Sequence, residues 1–388
     1  MTELIGGNQI TLLKSGREYF PALEAACDAA RHEIHLETYI FEDDVAGRRV
    51  AQALARAARR GVATHVLVDG FGSKRLNREL IAEMQDAGVR YLVYRPDIAP
   101  WRYPRQRLRR MHRKVAVVDA QVAFVGGINV IDDMHTPRHT PPRFDYAVKI
   151  DGPLVQHVHS VARRLWALAQ FTRFHEEPGP RPRLAPLPAP RGAQRAAFLV
   201  RDNVRHRSDI EEAYLAAIAG ARSEILIACA YFFPGLRFRR ALMDAAARGV
   251  RVVLLLQGRV EYTLLHFASR ALYGAFLDAG IEIHEYHKSF MHAKVAVIDR
   301  RWATVGSSNI DPFSLLMARE ANVVIDDRGF AGDLRRDLGE AMAAGARQLQ
   351  REGWKRRPPA QRAAIWLCYG VARLLTGVFA YGREREST

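Results

Sequence analysis

The fold of this chain is decided by a stretch of sequence that occurs twice. "MHRKVAVVDAQVAFVGGIN" covers residues 111–129, and "MHAKVAVIDRRWATVGSSN" covers residues 291–309. The His, Lys, Asp, first Gly and Asn positions all recur at an offset of 180 residues. A chain that keeps these polar residues in register twice is expected to use both copies in one place.

The sequence around the two copies repeats as well. Residues 15–70 and 206–258 each read as a helix, an apolar strand, a second helix and a second apolar strand. Both second helices end in Arg-Gly-Val, with Gly61 and Gly249 where a helix C-cap is expected. Apolar strands that alternate with helices predict an α/β sheet covered on both faces.

We therefore predict two pseudo-symmetric α/β lobes, each a mostly parallel sheet flanked by helices, with the active site between them. The first lobe covers residues 1–175 and the second covers residues 197–352. Residues 176–196, "EEPGPRPRLAPLPAPRGAQRA", predict an extended linker because their prolines exclude helices and sheet interiors. Residues 353–388 form a basic and apolar C-terminal segment.

This C-terminal segment contains one long apolar run, "AAIWLCYGVARLLTGVFAYG", at residues 363–382. Its length is close to that of a membrane span, but Arg373 near its middle would cost roughly 2.5–3.5 kcal/mol on insertion scales. We favour a helix that lies in the membrane interface with its apolar face in the lipid. A helix packed on the protein core and a true span are the alternatives.

The charge of the chain is strongly basic, with 58 Lys and Arg against 42 Asp and Glu, a net charge of +16. Such a surface attracts nucleic acid, an anionic membrane or phosphorylated substrates, and composition does not choose among them. The three cysteines are far apart and predict neither a disulfide framework nor a metal site. The first residues do not predict a signal peptide.

The repeated stretch predicts a strand, a tight turn and a returning strand. His112 and Lys114 point to one face of the first strand, because side chains alternate along a strand. Asp119 begins the turn, and the second strand returns Gly126, Gly127 and Asn129 to the level of the histidine. The second copy offers the matching set His292, Lys294, Asp299, Gly306, Ser307 and Asn309.

Two converging copies would suit phosphoryl chemistry. One imidazole can attack phosphorus while the other protonates the leaving oxygen. The lysines and asparagines can hold the non-bridging phosphate oxygens, so no metal or other cofactor is expected. Matched segments at an offset of 175 residues, "DYAVKID" and "EANVVID", provide Asp145 and Glu320 as carboxylates that would fix the imidazole tautomers.

The two copies resemble the paired HKD motifs of the phospholipase D superfamily, and the resemblance covers roughly residues 7–350. It implies a two-lobed α/β fold and a reaction through a phospho-histidine intermediate. By this resemblance the catalytic residues are His112, Lys114, Asp119, His292, Lys294 and Asp299. His112 would be the nucleophile and His292 the general acid and then base, although the symmetry leaves the two roles open to exchange.

Within the superfamily the chain is most similar to bacterial cardiolipin synthases of the shorter B type, on "RLRRMHRK", "GGINV", "FDYAVKIDGP" and "GSSNIDPFSLLMAREANV". The broader family pattern has Arg-Ser and a later Asn-x-Glu after the second motif. This chain has Phe313-Ser314 and Ala318-Arg319-Glu320 at those places. The glutamate is kept, and the arginine and asparagine are not, which puts the acceptor pocket in doubt.

The resemblance implies transfer of a phosphatidyl group from one phosphatidylglycerol to another, or to a related alcohol, giving cardiolipin and glycerol. It also implies peripheral attachment to the cytoplasmic side of the inner membrane. The basic run at residues 101–114, with Trp101 and Tyr103, would contact anionic lipid or form a solvated loop. The alternatives are a phosphodiesterase acting on nucleic acid, which the apolar C-terminal segment disfavours, and a membrane-binding protein without catalysis. The sequence makes no prediction about oligomeric state.

Overall fold

The structure is a computed structural model that describes residues 3–96, 110–136, 140–171, 188–202, 205–259, 263–311, 314, 318–355 and 358–381. The first half contains the following elements: β1 (Ile5–Lys14), α1 (Ser15–Ala29), β2 (Glu33–Thr38), α2 (Val45–Arg59), β3 (Ala63–Asp69), α3 (Arg78–Asp86), β4 (Arg90–Tyr94), β5 (Lys114–Val118), β6 (Val122–Gly126), β7 (Arg143–Phe144), β8 (Tyr146–Asp151) and α4 (Leu154–Phe171).

The second half repeats this order and adds a C-terminal extension. Its elements are β9 (Gln194–Arg201), α5 (Asp209–Gly220), β10 (Glu224–Cys229), α6 (Leu236–Ala247), β11 (Arg251–Gln257), α7 (Thr263–Arg270), α8 (Tyr273–Asp278), β12 (Glu282–Tyr286), β13 (Phe290–Met291), β14 (Lys294–Ile298), β15 (Trp302–Gly306), β16 (Glu320–Asp326), α9 (Arg328–Gly345), β17 (Ala346–Gln348), α10 (Arg351–Lys355) and α11 (Pro359–Tyr381).

The expected α/β class is confirmed, but the expectation of mostly parallel sheets is wrong. In the first half β2, β3 and β4 pair in parallel, whereas β2–β5, β5–β6, β6–β8 and β8–β1 are antiparallel. The second half has the same mixed pattern. Part of the reason is local: tight turns join β5 to β6 and β14 to β15, and a strand that returns through such a turn must pair antiparallel.

The two halves form one continuous sheet of 15 strands. Antiparallel pairing of β1 with β9 joins them at the centre of the sheet. Residues 194–196, the end of the predicted linker, already belong to β9, and residues 176–187 of that linker lie outside the described part of the chain. The linker therefore leads directly into a central strand of the sheet.

Helices cover both faces of the sheet. On one face α1 and α2 pack on β2 of the first half, and α5 and α6 pack on β10 and β11 of the second half. On the other face a single apolar core spans both halves and contains side chains of α4 and α9. Because this core crosses from one half to the other, the two halves are held in a fixed relation at the site they share.

The C-terminal helix α11 both packs on the second half and presents an apolar surface. Ile365 and Ala372 are buried, and Tyr369 lies edge-on to Phe233. On its outer side four large apolar residues are exposed: Trp366, Leu367, Val371 and Leu374. Within the described residues, no helix has both the length and the apolar content needed to cross a bilayer.

Candidate active site

Each motif histidine is held at the junction of the two halves by the backbone of the opposite half. The His112 N–H donates to Arg319 O at 2.9 Å, and the His292 N–H donates to Phe144 O at 2.8 Å. Short strand β13 pairs in parallel with β7, so the approach to His292 also crosses between halves. The two imidazoles are thus fixed by contacts that neither half makes alone.

Each imidazole is paired with a buried carboxylate from the other half. His112 Nδ1 lies 2.9 Å from Glu320 Oε1, and His292 Nδ1 lies 2.7 Å from Asp145 Oδ2. The exposed fraction of the carboxylate side chains is 0% for Glu320 and 2% for Asp145. A carboxylate at Nδ1 keeps the proton on that nitrogen, which leaves the Nε2 lone pair free to act as nucleophile or base.

The two lysines lie beside these imidazoles and are buried. Lys114 Nζ donates to His112 O, and Lys294 Nζ donates to His292 O. Burial is the main cause that lowers the pKa of Lys114 to about 7; Glu320 opposes this shift and Lys294 reinforces it. The Lys114 ammonium group therefore loses its charge easily unless an anion stabilises it, as expected for a phosphate pocket.

The surroundings of both imidazoles favour their neutral state. Burial lowers the pKa of His112, with Glu320 opposing this shift, and burial followed by Lys294 and Lys114 holds the pKa of His292 well below its usual value. Burial also raises the pKa of Asp145 to about 6. A bound phosphate anion would reverse the effect of the lysines, so proton uptake by one histidine is coupled to substrate binding.

The small residues after each motif make room for the carboxylate partners. A Cβ on Gly127 would lie 2.3 Å from Asp145 Oδ1, so only glycine lets the carboxylate reach His292. The second half has Ser307 instead, whose hydroxyl donates to Glu320 Oε2 at 2.5 Å. The structure thus places both positions against the carboxylates that contact the histidines.

The remaining small and amide residues lie around this centre. Gly126 is opposite Lys114 in the β5–β6 register, and a Cβ on Gly306 would collide with Asn322. Asn129 Oδ1 accepts the Ile40 N–H at 3.0 Å, and both Asn129 and Asn309 are buried. With its oxygen occupied, Asn129 has its amide NH₂ left to donate.

The structure does not bring Asp119 and Asp299 to the site. Asp119 lies at the opposite end of β5, where its carboxylate accepts the backbone N–H groups of Arg31, His32 and Glu33 at 2.8–2.9 Å. Asp299 binds the start of β10 in the same way. Both aspartates have positive φ at the tight turn, 52° and 51°, and therefore serve the hairpin rather than the reacting atoms.

Several residues at the site were not in the predicted catalytic set. The Tyr39 ring centroid lies 4.8 Å from that of His112, and Lys114 Nζ lies 5.3 Å from the same tyrosine ring centroid. Asp69 Oδ2 accepts the Met111 N–H at 2.8 Å and so fixes the residue before the histidine. Both stand at the ends of apolar runs, which is the one sequence signal that points to them.

Glu37, next to the last residue of β2, faces away from the reacting groups. It accepts a two-point salt bridge from Arg113, with Arg113 Nη2 to Glu37 Oε1 at 2.7 Å. Arg110 belongs to the predicted basic run. Its guanidinium carbon lies 5.1 Å from the Phe71 ring centroid, and its Nη1 lies 3.8 Å from Asp69 Oδ1. Trp101 and Tyr103 of that run, and Phe313 of the second half, lie outside the described residues.

Arg319 stands where the broader pattern has the middle residue of Asn-x-Glu. Its Nε donates to the Tyr94 hydroxyl at 3.0 Å, and its own N–H donates to Arg110 O at 2.7 Å. Arg319 and Arg110 thus place two guanidinium groups beside the crossing that holds His112.

Comparison with known proteins identifies relatives over most of the chain. A family model described as "Cardiolipin synthase, PLD-like domain" matches residues 23–166 and 214–342. Cardiolipin synthase B of Escherichia coli strain K12 is 40% identical over 354 residues, covering 88% of this chain and 82% of that protein. The probable cardiolipin synthase YwiE of Bacillus subtilis is 31% identical over 374 residues, covering 96% of this chain and 72% of that protein.

Solved structures support the fold at low sequence identity. Phosphatidylserine synthase of Haemophilus influenzae has a TM-score of 0.69 at 13% identity, and each chain covers 95% of the other. Polyphosphate kinase of Porphyromonas gingivalis has a TM-score of 0.56 at 16% identity, covering 96% of this chain and 53% of that one. These likenesses establish the two-lobed architecture and nothing more.

Proposed function

Since this chain belongs to the cardiolipin synthase family with a phospholipase D-like domain, and is an enzyme of that phosphatidyltransferase type, we propose that it makes cardiolipin from phosphatidylglycerol. One phosphatidylglycerol donates its phosphatidyl group, and a second, or a related alcohol-bearing lipid, accepts it. Glycerol is the other product.

In the first step His112 Nε2 attacks phosphorus and the bond from phosphorus to the headgroup glycerol breaks. His292, protonated once the phosphate anion is bound, gives its Nε2 proton to the departing glycerol oxygen. Glu320 stabilises the positive charge that His112 acquires in the phospho-histidine, because its carboxylate lies at Nδ1. The lysines and the two asparagines hold the non-bridging oxygens.

In the second step the direction of proton transfer reverses. His292 now accepts the proton of the acceptor hydroxyl, whose oxygen attacks phosphorus and displaces His112 Nε2. Asp145 keeps the His292 proton on Nδ1 throughout, so the same Nε2 acts as acid and then as base. No metal ion enters either step.

The observation that carries this proposal is the pair of crossed imidazole–carboxylate contacts between the halves. It is tested by incubating the purified chain with labelled phosphatidylglycerol in vesicles, with EDTA present during the assay, and separating the products. Cardiolipin that forms in the wild type and is lost in His112→Ala supports the proposal. Phosphatidic acid as the sole product would indicate a hydrolase.

A DNA-cleavage assay and a vesicle-binding assay beside the lipid assay separate the other functional hypotheses. A protein that cleaves labelled single-stranded DNA and leaves phosphatidylglycerol unchanged would be the nucleic-acid phosphodiesterase. A protein that binds vesicles but turns over neither substrate would be a membrane-binding protein without catalysis. The relatives named above, a cardiolipin synthase B and a probable cardiolipin synthase, favour the lipid reaction.

We also propose that the chain attaches peripherally to the cytoplasmic side of the inner membrane, through α11 and the basic surface. Trp366, Leu367 and Leu374 are 57–70% exposed, and an interfacial helix would bury such residues among lipid headgroups and acyl chains. The double variant Trp366→Ser with Leu367→Ser should bind phosphatidylglycerol vesicles more weakly in a flotation assay. The control is Leu168→Ser, which removes an exposed leucine from α4. Equal loss in both variants, or in neither, would contradict the assignment.

A further inference from the structure

A second cluster of imidazoles and a carboxylate lies in the first half, away from the crossed pairs. Glu33 and His35 are two residues apart on β2, so their side chains point to the same face of the sheet. Helix α4 covers this face. His159 of α4 meets them there. The three residues are 2–8% exposed, so their polar atoms are shielded from bulk water.

The donor atoms of these three side chains converge. His35 Nε2 lies 3.3 Å from Glu33 Oε2, and His159 Nε2 lies 2.6 Å from Glu33 Oε1. One donor atom from each residue lies within 4.8 Å of the other two. Two ligands bound to one tetrahedral Zn²⁺ at about 2.0–2.1 Å are about 3.3 Å apart. The separation of His35 Nε2 from Glu33 Oε2 matches this distance, and the shorter contact of His159 with Glu33 would lengthen on binding the ion.

Hydrogen bonding accounts for only part of this convergence, because His35 Nε2 lies within hydrogen-bond distance of Glu33 and the other two imidazoles are less well satisfied. His159 Nε2 has no partner of hydrogen-bond geometry among the described residues, despite its contact with Glu33. His65 Nδ1 also lacks such a partner within the described part of the chain, and its ring stacks on His35 with centroids 4.6 Å apart. Buried polar atoms are normally satisfied, so two neighbouring ring nitrogens without such a partner favour a ligand at this cluster.

We propose that Glu33, His35 and His159 bind one divalent cation of the zinc class, with a water molecule in the fourth position. Two imidazole nitrogens and one carboxylate oxygen are a donor set that zinc prefers. The cluster differs from the catalytic centre, where a lysine beside each histidine opposes a cation.

The ion would have a structural role. It would tie α4 to the first residue of β2, whose N–H already anchors Asp119. Two residues beyond His35 on the same face, Glu37 holds Arg113, the neighbour of His112 in sequence. Metal binding should therefore raise the stability of the first half, while the reacting atoms stay free of metal.

The experiment uses the full chain, purified without a histidine tag and without chelator. Elemental analysis should give about one zinc-class ion per chain in the wild type. After the metal is stripped, Co²⁺ titration should give a saturable ligand-field absorption band at one equivalent. Stripping should lower the Tm, and Zn²⁺ should restore it.

Variants locate the ion. His159→Gln should weaken Co²⁺ binding by more than the roughly 10- to 100-fold typical of losing an outer-shell residue. His157→Gln, the same change at an exposed position on the same helix, should bind as the wild type does. His112→Ala should also bind normally, which separates this site from the catalytic imidazoles.

Two results would overturn the assignment. One is a folded wild type that holds no stoichiometric metal and shows no saturable Co²⁺ band. The other is a folded His159→Gln that binds as tightly as the wild type. If His159→Gln does not fold, Glu33→Gln and the wild-type titration decide in the same way. None of these readouts depends on lipid turnover.

Discussion

Replacing Glu320 by glutamine tests the role of the carboxylate behind His112. Glu320 is fully buried, and its carboxylate contacts His112 Nδ1 at 2.9 Å and accepts the Ser307 hydroxyl. Glutamine keeps the size of the side chain and one acceptor oxygen but removes the negative charge. The imidazole that attacks phosphorus becomes cationic, so the variant loses a charge–charge attraction that exists only after attack begins.

The size of the effect follows from the distance. Two unit charges about 4 Å apart interact by about 4 kcal/mol at an effective dielectric constant of about 20. Since roughly 1.4 kcal/mol corresponds to a tenfold change in rate, we expect the first step to slow by about 10³-fold. KM should change little, because the lost interaction is made in the transition state and not in substrate binding.

The assay is a single-turnover measurement of labelled glycerol released from phosphatidylglycerol, with enzyme in excess over lipid. The control is Glu340→Gln, the same substitution at an exposed position of α9, which should stay within about twofold of the wild type. Urea unfolding of both variants checks that the fold is intact. A folded Glu320→Gln that releases glycerol within about tenfold of the wild-type rate would refute the charge-stabilisation argument.

Three further predictions test the site. Asp119→Asn should lower the free energy of unfolding in urea by about 1–3 kcal/mol and leave kcat of the folded enzyme nearly unchanged, because the carboxylate holds a turn; a large kcat loss at full stability would contradict this. The plot of kcat/KM against pH should fall below about 6, where Asp145 gains a proton, and above about 7, where Lys114 loses one. Lys114→Arg should remove the alkaline limb, and a limb that persists would assign it to another group. His292→Ala, given a phosphatidyl ester of p-nitrophenol, should release one equivalent of nitrophenol in a burst and then stall, since that leaving group needs no acid; a folded variant that releases no nitrophenol would assign the nucleophile to His292.

The sequence predicts the parts of this protein that depend on short-range pattern. The duplicated motif indicates two equivalent halves, and the hairpin after Asp119 is predicted because strand alternation and a polar turn are local properties. The mixed sheet is less accessible to such reasoning. The order of strands across 15 positions depends on which edges meet in space, and a run of apolar strands does not encode parallel or antiparallel pairing.

The sequence identifies the residues of the motif, but it does not show which of them reach the reacting atoms. Its motif includes Asp119 beside His112 and Lys114, yet five residues of extended strand carry that carboxylate to the far end of β5. Asp69 is missed because its partner is a backbone N–H of a residue distant in sequence. The cluster at Glu33 is missed because its members are also distant in sequence: His159 of α4 lies 126 residues after Glu33.

The crossed pairs explain why both copies of the motif must stay in register. Each half supplies the imidazole of one pair and the carboxylate of the other, so neither half contains a complete acid–base pair. The halves are aligned by the central pairing of β1 with β9. Side chains alternate along a strand, so a slip of one residue there would turn inward-facing groups outward and displace both carboxylates from both histidines at once. A change in either pair therefore affects both halves, although neighbouring positions such as Gly127 and Ser307 differ between the two copies.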